Sequence, residues 1–188
     1  MATMDYISRI AVDLVRRFRS RDPGDLARAL GIMTRYRDLG ENLNAYYFCQ
    51  SRQRVITVNN RLNESAMRVY LAHELGHDQI PAHREVALAI PLRDLEQFDH
   101  SSPLEYEANI FAAELLIDDD RLIELLGDDL SFFGAAKELR VPMELLDFKF
   151  RLLKRRGLSF EPLYIAQGDF LKRGLVAEHQ EEDPYETR

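Results

Sequence analysis

His73-Glu74-Leu75-Gly76-His77 decides the reading of this 188-residue chain. On a helix, positions four apart lie on one face about a turn apart, so His73 and His77 offer imidazole nitrogens to a single point. The preceding run Asn63-Glu64-Ser65-Ala66-Met67-Arg68-Val69-Tyr70-Leu71-Ala72 predicts such a helix, with Asn63 as its N-cap. Ala66, Val69, Tyr70, His73 and His77 then fall along one stripe at helical spacing. The plain alternative is a polar edge of a core. Imidazoles on a buried stripe are costly without a partner, however, and a metal ion supplies one. Glu74 stands one step on from His73, where a carboxylate takes a proton from water bound at the metal. The pattern therefore predicts attack of that water on a carbonyl, above all that of a peptide bond.

Zinc in a hydrolase takes three protein ligands and keeps one position for water. Three residues compete for the third place. His83 stands at the third histidine of H-E-x-x-H-x-x-G-x-x-H, but Ile80 replaces the glycine that turns the chain out of the helix in that pattern. Glu105 and Glu107 lie in Ser102-Pro103-Leu104-Glu105-Tyr106-Glu107-Ala108-Asn109-Ile110-Phe111-Ala112-Ala113-Glu114-Leu115-Leu116, which predicts a second helix. Ser102 reads as its cap, Pro103 as its first residue, and Glu105 as the acid closing a capping box. That role accounts for Glu105 without a metal. Helical angles set both carboxylates about equally far from the apolar face, so only the capping argument favours Glu107. A carboxylate from this helix would complete a His-His-Glu set.

Taken together, Ala72-His73-Glu74-Leu75-Gly76-His77 and Glu105-Tyr106-Glu107-Ala108-Asn109-Ile110-Phe111-Ala112-Ala113-Glu114-Leu115-Leu116 resemble the ImmA/IrrE metallopeptidases. Members of that family carry H-E-x-x-H followed by E-A-(N/D)-x-F-A. The similarity runs from Leu26 to about Leu158 and is specific only in the two motif segments. It implies Zn2+ held by His73, His77 and Glu107, with Glu74 as catalytic base, the ligand set of a gluzincin-like endopeptidase. It also implies a protein substrate, a helix-turn-helix repressor, whose cleavage derepresses mobile-element, prophage or stress genes. Where the family often has Met-Pro after the Leu pair, this chain has Ile117-Asp118, a departure at the helix end and not in the metal set.

The length suits one domain with a small appendage, and 46% hydrophobic residues with 10% aromatics suit a packed core. Cys49 is the single cysteine, which excludes an internal disulfide framework and favours a reducing cytoplasm. It lies in an apolar run and reads as a buried, inert thiol. No signal-peptide core or spanning run is present in the sequence, so no membrane role is expected. The net charge of −7 disfavours duplex DNA as a partner in general. Residues 137–156 depart from it, with seven basic against three acidic side chains. From Val176 onward five acids face Arg188 alone, an acidic tail expected to stay solvated and disordered.

The elements fall into an α+β order. A helix is predicted over 6–20 and a short one over 26–30, then strands over 32–37, 45–50 and 54–59, with a hairpin at 51–53. This gives a zincin-like core, a small antiparallel sheet beside the active-site helices, whose edge could take up an extended peptide. Residues 81–102, broken by prolines, read as an irregular crossing, with His83 and His100 as surface histidines. Helices over 131–138 and 143–156, separated by Arg140-Val141-Pro142, form a helix-turn-helix-like unit. Packing accounts for its basic residues better than direct nucleic-acid binding does. The expected divisions are a zinc metallopeptidase core over 1–126, the helical segment over 127–157, and a C-terminal extension over 158–188. Substrate-binding residues are not legible. The rival readings are a non-proteolytic regulator that binds a repressor or DNA, and the toxin of a two-gene system. A structural site has no need of a base, so Glu74 argues for the enzyme.

Overall fold

Thr3 accepts a hydrogen bond from the Tyr6 amide at 3.3 Å and starts α1 (Met4–Phe18), the first element of the computed structural model. The structure describes residues 3–51, 53–89, 92–95, 102–127 and 131–158. Asp22 caps α2 (Pro23–Ala29) in the same way, accepting from the Asp25 amide at 2.8 Å, with Pro23 in the first turn. Three strands follow, β1 (Met33–Arg37), β2 (Leu43–Gln50) and β3 (Gln53–Asn59). β2 and β3 form the expected hairpin, antiparallel with Gln50 opposite Gln53.

The sheet is mixed, a detail the sequence reading did not foresee, because β1 pairs parallel to β3, Met33 opposite Val55. From β1 the chain passes the end of β3 to reach β2, and the hairpin then slots β3 between them. Asn59 fastens that passage, its side-chain amide donating to the carbonyls of Gly40 at 2.8 Å and Leu43 at 2.9 Å. The central position of β3 explains why Val55 to Asn59 are all buried.

α3 (Glu64–Gln79) begins at Asn63, whose side chain accepts from the Ala66 amide at 2.8 Å, as its sequence predicts. Residues 81–102 differ from the irregular crossing expected. They contain α4 (Pro81–Ala89) and β4 (Leu92–Leu95), which pairs antiparallel with β2 and completes the order β1-β3-β2-β4. Pro81 is the first residue of α4 rather than a break, the position where a missing N–H costs nothing.

α5 (Pro103–Leu116) is buried at every residue from Glu107 to Leu116, because α1, α3 and α8 (Met143–Arg155) all pack on it. Between α5 and α8 lie α6 (Asp119–Gly127) and α7 (Phe132–Leu139), the first of which the sequence reading passed over. α7 and α8 match the expected helix pair, and Ala135, Leu145, Leu146 and Leu153 join the same buried cluster as Leu75, Ile110 and Phe111. Cys49 lies in that cluster too, buried as expected. Among the described residues no helix is long and apolar enough to cross a membrane. The C-terminal extension beyond Leu158 and His100 lie outside the described residues.

Candidate metal centre

α3 and α5 meet face to face, and the two motif segments meet with them. His73 and His77 are one turn apart on α3, 1% and 2% exposed, with their Nε2 atoms 3.2 Å apart. The carboxylate that reaches them is that of Glu105. Its Oε2 lies 2.9 Å from His73 Nε2 and its Oε1 3.5 Å from His77 Nε2. His73, His77 and Glu105 thus form a group whose donor atoms converge closely enough for one ion.

The chemistry of this donor set fits a cation. His73 Nδ1 lies 2.9 Å from Asn109 Oδ1, an acceptor, so His73 carries its proton on Nδ1 and presents a lone pair at Nε2. That lone pair faces a second imidazole nitrogen and a carboxylate, and such a trio repels unless positive charge sits among it. Extra protons on the histidines are the other source of that charge, but burial pulls His77 down against the opposing pull of Glu105. Distances agree with a metal. Tetrahedral zinc with bonds of about 2.0–2.1 Å sets two nitrogen ligands roughly 3.3 Å apart, close to the 3.2 Å found between the two imidazoles. Burial pushes the Glu105 carboxyl up, yet its place against His73 and His77 outweighs burial and holds the group well below the usual range.

Glu107, expected as the third ligand, is not brought to the imidazole pair. Two steps along a helix turn a side chain by about 200°, so Glu107 leaves α5 on another side from Glu105. Its Oε2 lies 2.9 Å from Nε2 of His83, and both residues are buried. His83 in turn lies 3.0 Å from His77, Nδ1 to Nδ1. Burial, then repulsion from His77, pulls His83 down to about 3, so its ring is neutral at ordinary pH. It is not the surface histidine expected, because the first turn of α4 folds back under α3 and encloses it. The capping box is likewise absent. Ser102 precedes α5 as its N-cap residue but makes no side-chain cap bond, and the Glu105 carboxylate turns to the histidines instead. The signal that finds Glu105 in the sequence is its spacing from Asn109, since residues four apart on α5 share the face that meets His73. Glu74 is buried beside His73 on α3, 1% exposed.

The basic segment is spent largely on internal partners. Lys149 is fully buried and pairs with Glu114 at 3.1 Å and with Asp119. Arg156 reaches Glu114 at 2.8 Å and Asp119 at 2.5 Å, and Arg151 reaches Asp147 at 2.7 Å.

Residues 27–151 match the IrrE N-terminal-like domain of peptidase family M78, well over half of the chain. The chain therefore belongs to this metallopeptidase family, as the two motifs imply. A curated relative, "Uncharacterized immunity region protein 2" of Bacillus phage phi105, is 27% identical over 136 residues. That match covers 72% of this chain and 84% of the relative.

Proposed function

We propose that this protein is a zinc-dependent endopeptidase that cleaves a helix-turn-helix transcriptional repressor. The observation that carries the reading is the convergence of His73, His77 and Glu105 where α3 meets α5, with Glu74 next in chain to a ligand. In this reading His73 and His77 hold the ion through Nε2 and Glu105 holds it through a carboxylate oxygen, in place of the Glu107 expected from sequence. When bound, zinc lowers the pKa of a water and polarises the scissile carbonyl. Glu74 accepts the proton of the attacking water and delivers it to the leaving amine. Asn109 keeps the His73 proton on Nδ1. β4 ends the sheet next to β2, and an extended substrate segment adds to its outer edge through backbone hydrogen bonds.

The family supports peptide hydrolysis, and a relative named for a phage immunity region fits a role in immunity regulation. The lone cysteine favours work in a reducing cytoplasm. The ion-paired state of Lys149, Arg151 and Arg156 favours packing over DNA contact for the helix pair. A Glu74→Gln variant, incubated with zinc and the repressor encoded beside this gene, tests the proposal. Cleavage by the parent that falls at least a hundredfold in the variant, at equal metal content, is expected for a lost general base. Binding of the repressor by both proteins with cutting by neither would leave a non-proteolytic regulator.

A further inference from the structure

The mechanism above uses neither His83 nor Glu107, yet both side chains are buried, 0% and 3% exposed, and both face inward to the site. Burying an imidazole against a carboxylate is costly unless the pair serves a purpose or is fully satisfied. We propose that His83 and Glu107 are a positioning pair for the metal ligand His77, fixing which of its ring nitrogens carries the proton. The inference rests on the metal reading of His73, His77 and Glu105.

The polarity of the chain follows from its outer end. A carboxylate only accepts, so His83 donates from Nε2 to Glu107 across 2.9 Å. A single hydrogen fits between the two Nδ1 atoms 3.0 Å apart, and His77 carries it when its Nε2 is turned to the ion, so His77 donates and His83 accepts. The lone pair of His77 then stands on Nε2, the atom 3.2 Å from His73 Nε2. Reversing the chain would put a proton on His77 Nε2, aimed at the ion, and would leave His83 Nε2 facing a carboxylate without a hydrogen. Outer partners of this kind both orient a histidine and make it a stronger donor to the metal. The two ligands are served unequally. His73 leans on the neutral amide of Asn109, whereas His77 leans on an imidazole backed by a carboxylate. His77 is therefore the better electron donor of the two. His83 also ties α4 to the site, since it enters from the first turn of that helix.

The test is zinc affinity of the full-length protein, measured by competition with a chromogenic chelator, together with the visible spectrum of the cobalt-substituted form. His83→Leu removes the acceptor for His77 and should weaken zinc binding about 10–100-fold. Glu107→Gln keeps the shape but removes the charge, and should weaken it less. The double variant should be no worse than His83→Leu alone, as befits two links in one chain. His83→Gln offers an acceptor oxygen at the same place and should recover part of the loss. It also decides the matter if the leucine variant fails to fold. The cobalt spectrum should shift in each variant, which loosening elsewhere in the protein would not produce. Zinc affinities within twofold of the parent, in folded variants, would overturn the proposal. So would complete loss of metal in Glu107→Gln with retention in Glu105→Gln, since Glu107 would then be a ligand itself. Failure of the parent to bind zinc at all would instead sink the metal site, and the two failures are told apart by that one measurement.

Discussion

Gly76 has no side chain at a point where α3 lies against α5. A Cβ built there would stand 3.1 Å from Phe111 Cδ1, 3.2 Å from its Cβ and 3.3 Å from Ala108 Cα. Phe111 is fully buried and Ala108 presents backbone, so neither has room to retreat. Replacing glycine by alanine inside a helix gains about 0.8–1.0 kcal/mol of propensity. Overpacking a dense contact costs about 1–3 kcal/mol. The second effect should win, and Gly76→Ala is expected to lower stability by about 1 kcal/mol in a denaturant titration. Because His77 is the next residue, the same variant should also bind zinc more weakly. A more stable protein with unchanged affinity would mean that the two helices part freely. At this scale the sequence was legible where spacing speaks and silent where direction matters. His73 and His77 declare their common face by standing four apart. Glu105 and Glu107 differ in where they point across the gap between two helices. That depends on the axial rotation of α5 against α3, which one helix's periodicity does not contain.

α5 is built to be surrounded, and Glu114, a buried acid near its end, explains what the basic segment is for. Glu114 is 3% exposed and receives Lys149 and Arg156 from the segment that sequence charge alone would offer to a polyanion. Arg21 closes the same helix, donating to the carbonyls of Glu114 and Leu115 at 3.0 Å each and pairing with Asp118 at 2.5 Å. Those carbonyls have no partner within the helix, so Arg21 supplies one. Taking away one member of a buried ion pair strands the other, at a cost of about 3–5 kcal/mol. Glu114→Ala is accordingly expected to cost about that much in chemical denaturation, since Lys149 would keep only Asp119. Lys149→Met should cost less, because Glu114 keeps Arg156 and the methionine fills the space apolar packing wants. A loss below about 1 kcal/mol from Glu114→Ala would show that the cluster contributes little. The elements themselves were largely readable. Asn63 caps α3 through its side chain at 2.8 Å, where the sequence puts the cap, and Ser131, expected as the first helical residue, caps α7 at 3.1 Å. α4 is hidden in the sequence because a proline reads equally as a break and as the first residue of a helix, which Pro81 is. The parallel pairing of β1 was missed because strand order is set by which hairpin inserts where, and no single strand's composition records it.

Across the whole molecule, the proposed metal site would tie together parts of the chain that are far apart in sequence. His73 and His77 come from α3, Glu105 from α5, and α4 with β4 lies on the loop between them. An unfolded chain cannot gather these three groups, so the free energy of metal binding appears as folding stability. With free zinc at a hundred times its Kd, the gain is about 2.7 kcal/mol. For a chain of this size each kcal/mol moves Tm by about 2–4 °C, so zinc should raise Tm by roughly 5–10 °C over the chelator-treated protein. The pattern across variants carries more than the size of the shift. Glu105→Gln removes a ligand and should abolish the rise, whereas Glu74→Gln removes only the base and should leave it whole. Calorimetry with and without zinc reads both. A rise that survives in Glu105→Gln would place the ion elsewhere, and a rise lost in Glu74→Gln would make that residue a ligand, not a proton carrier.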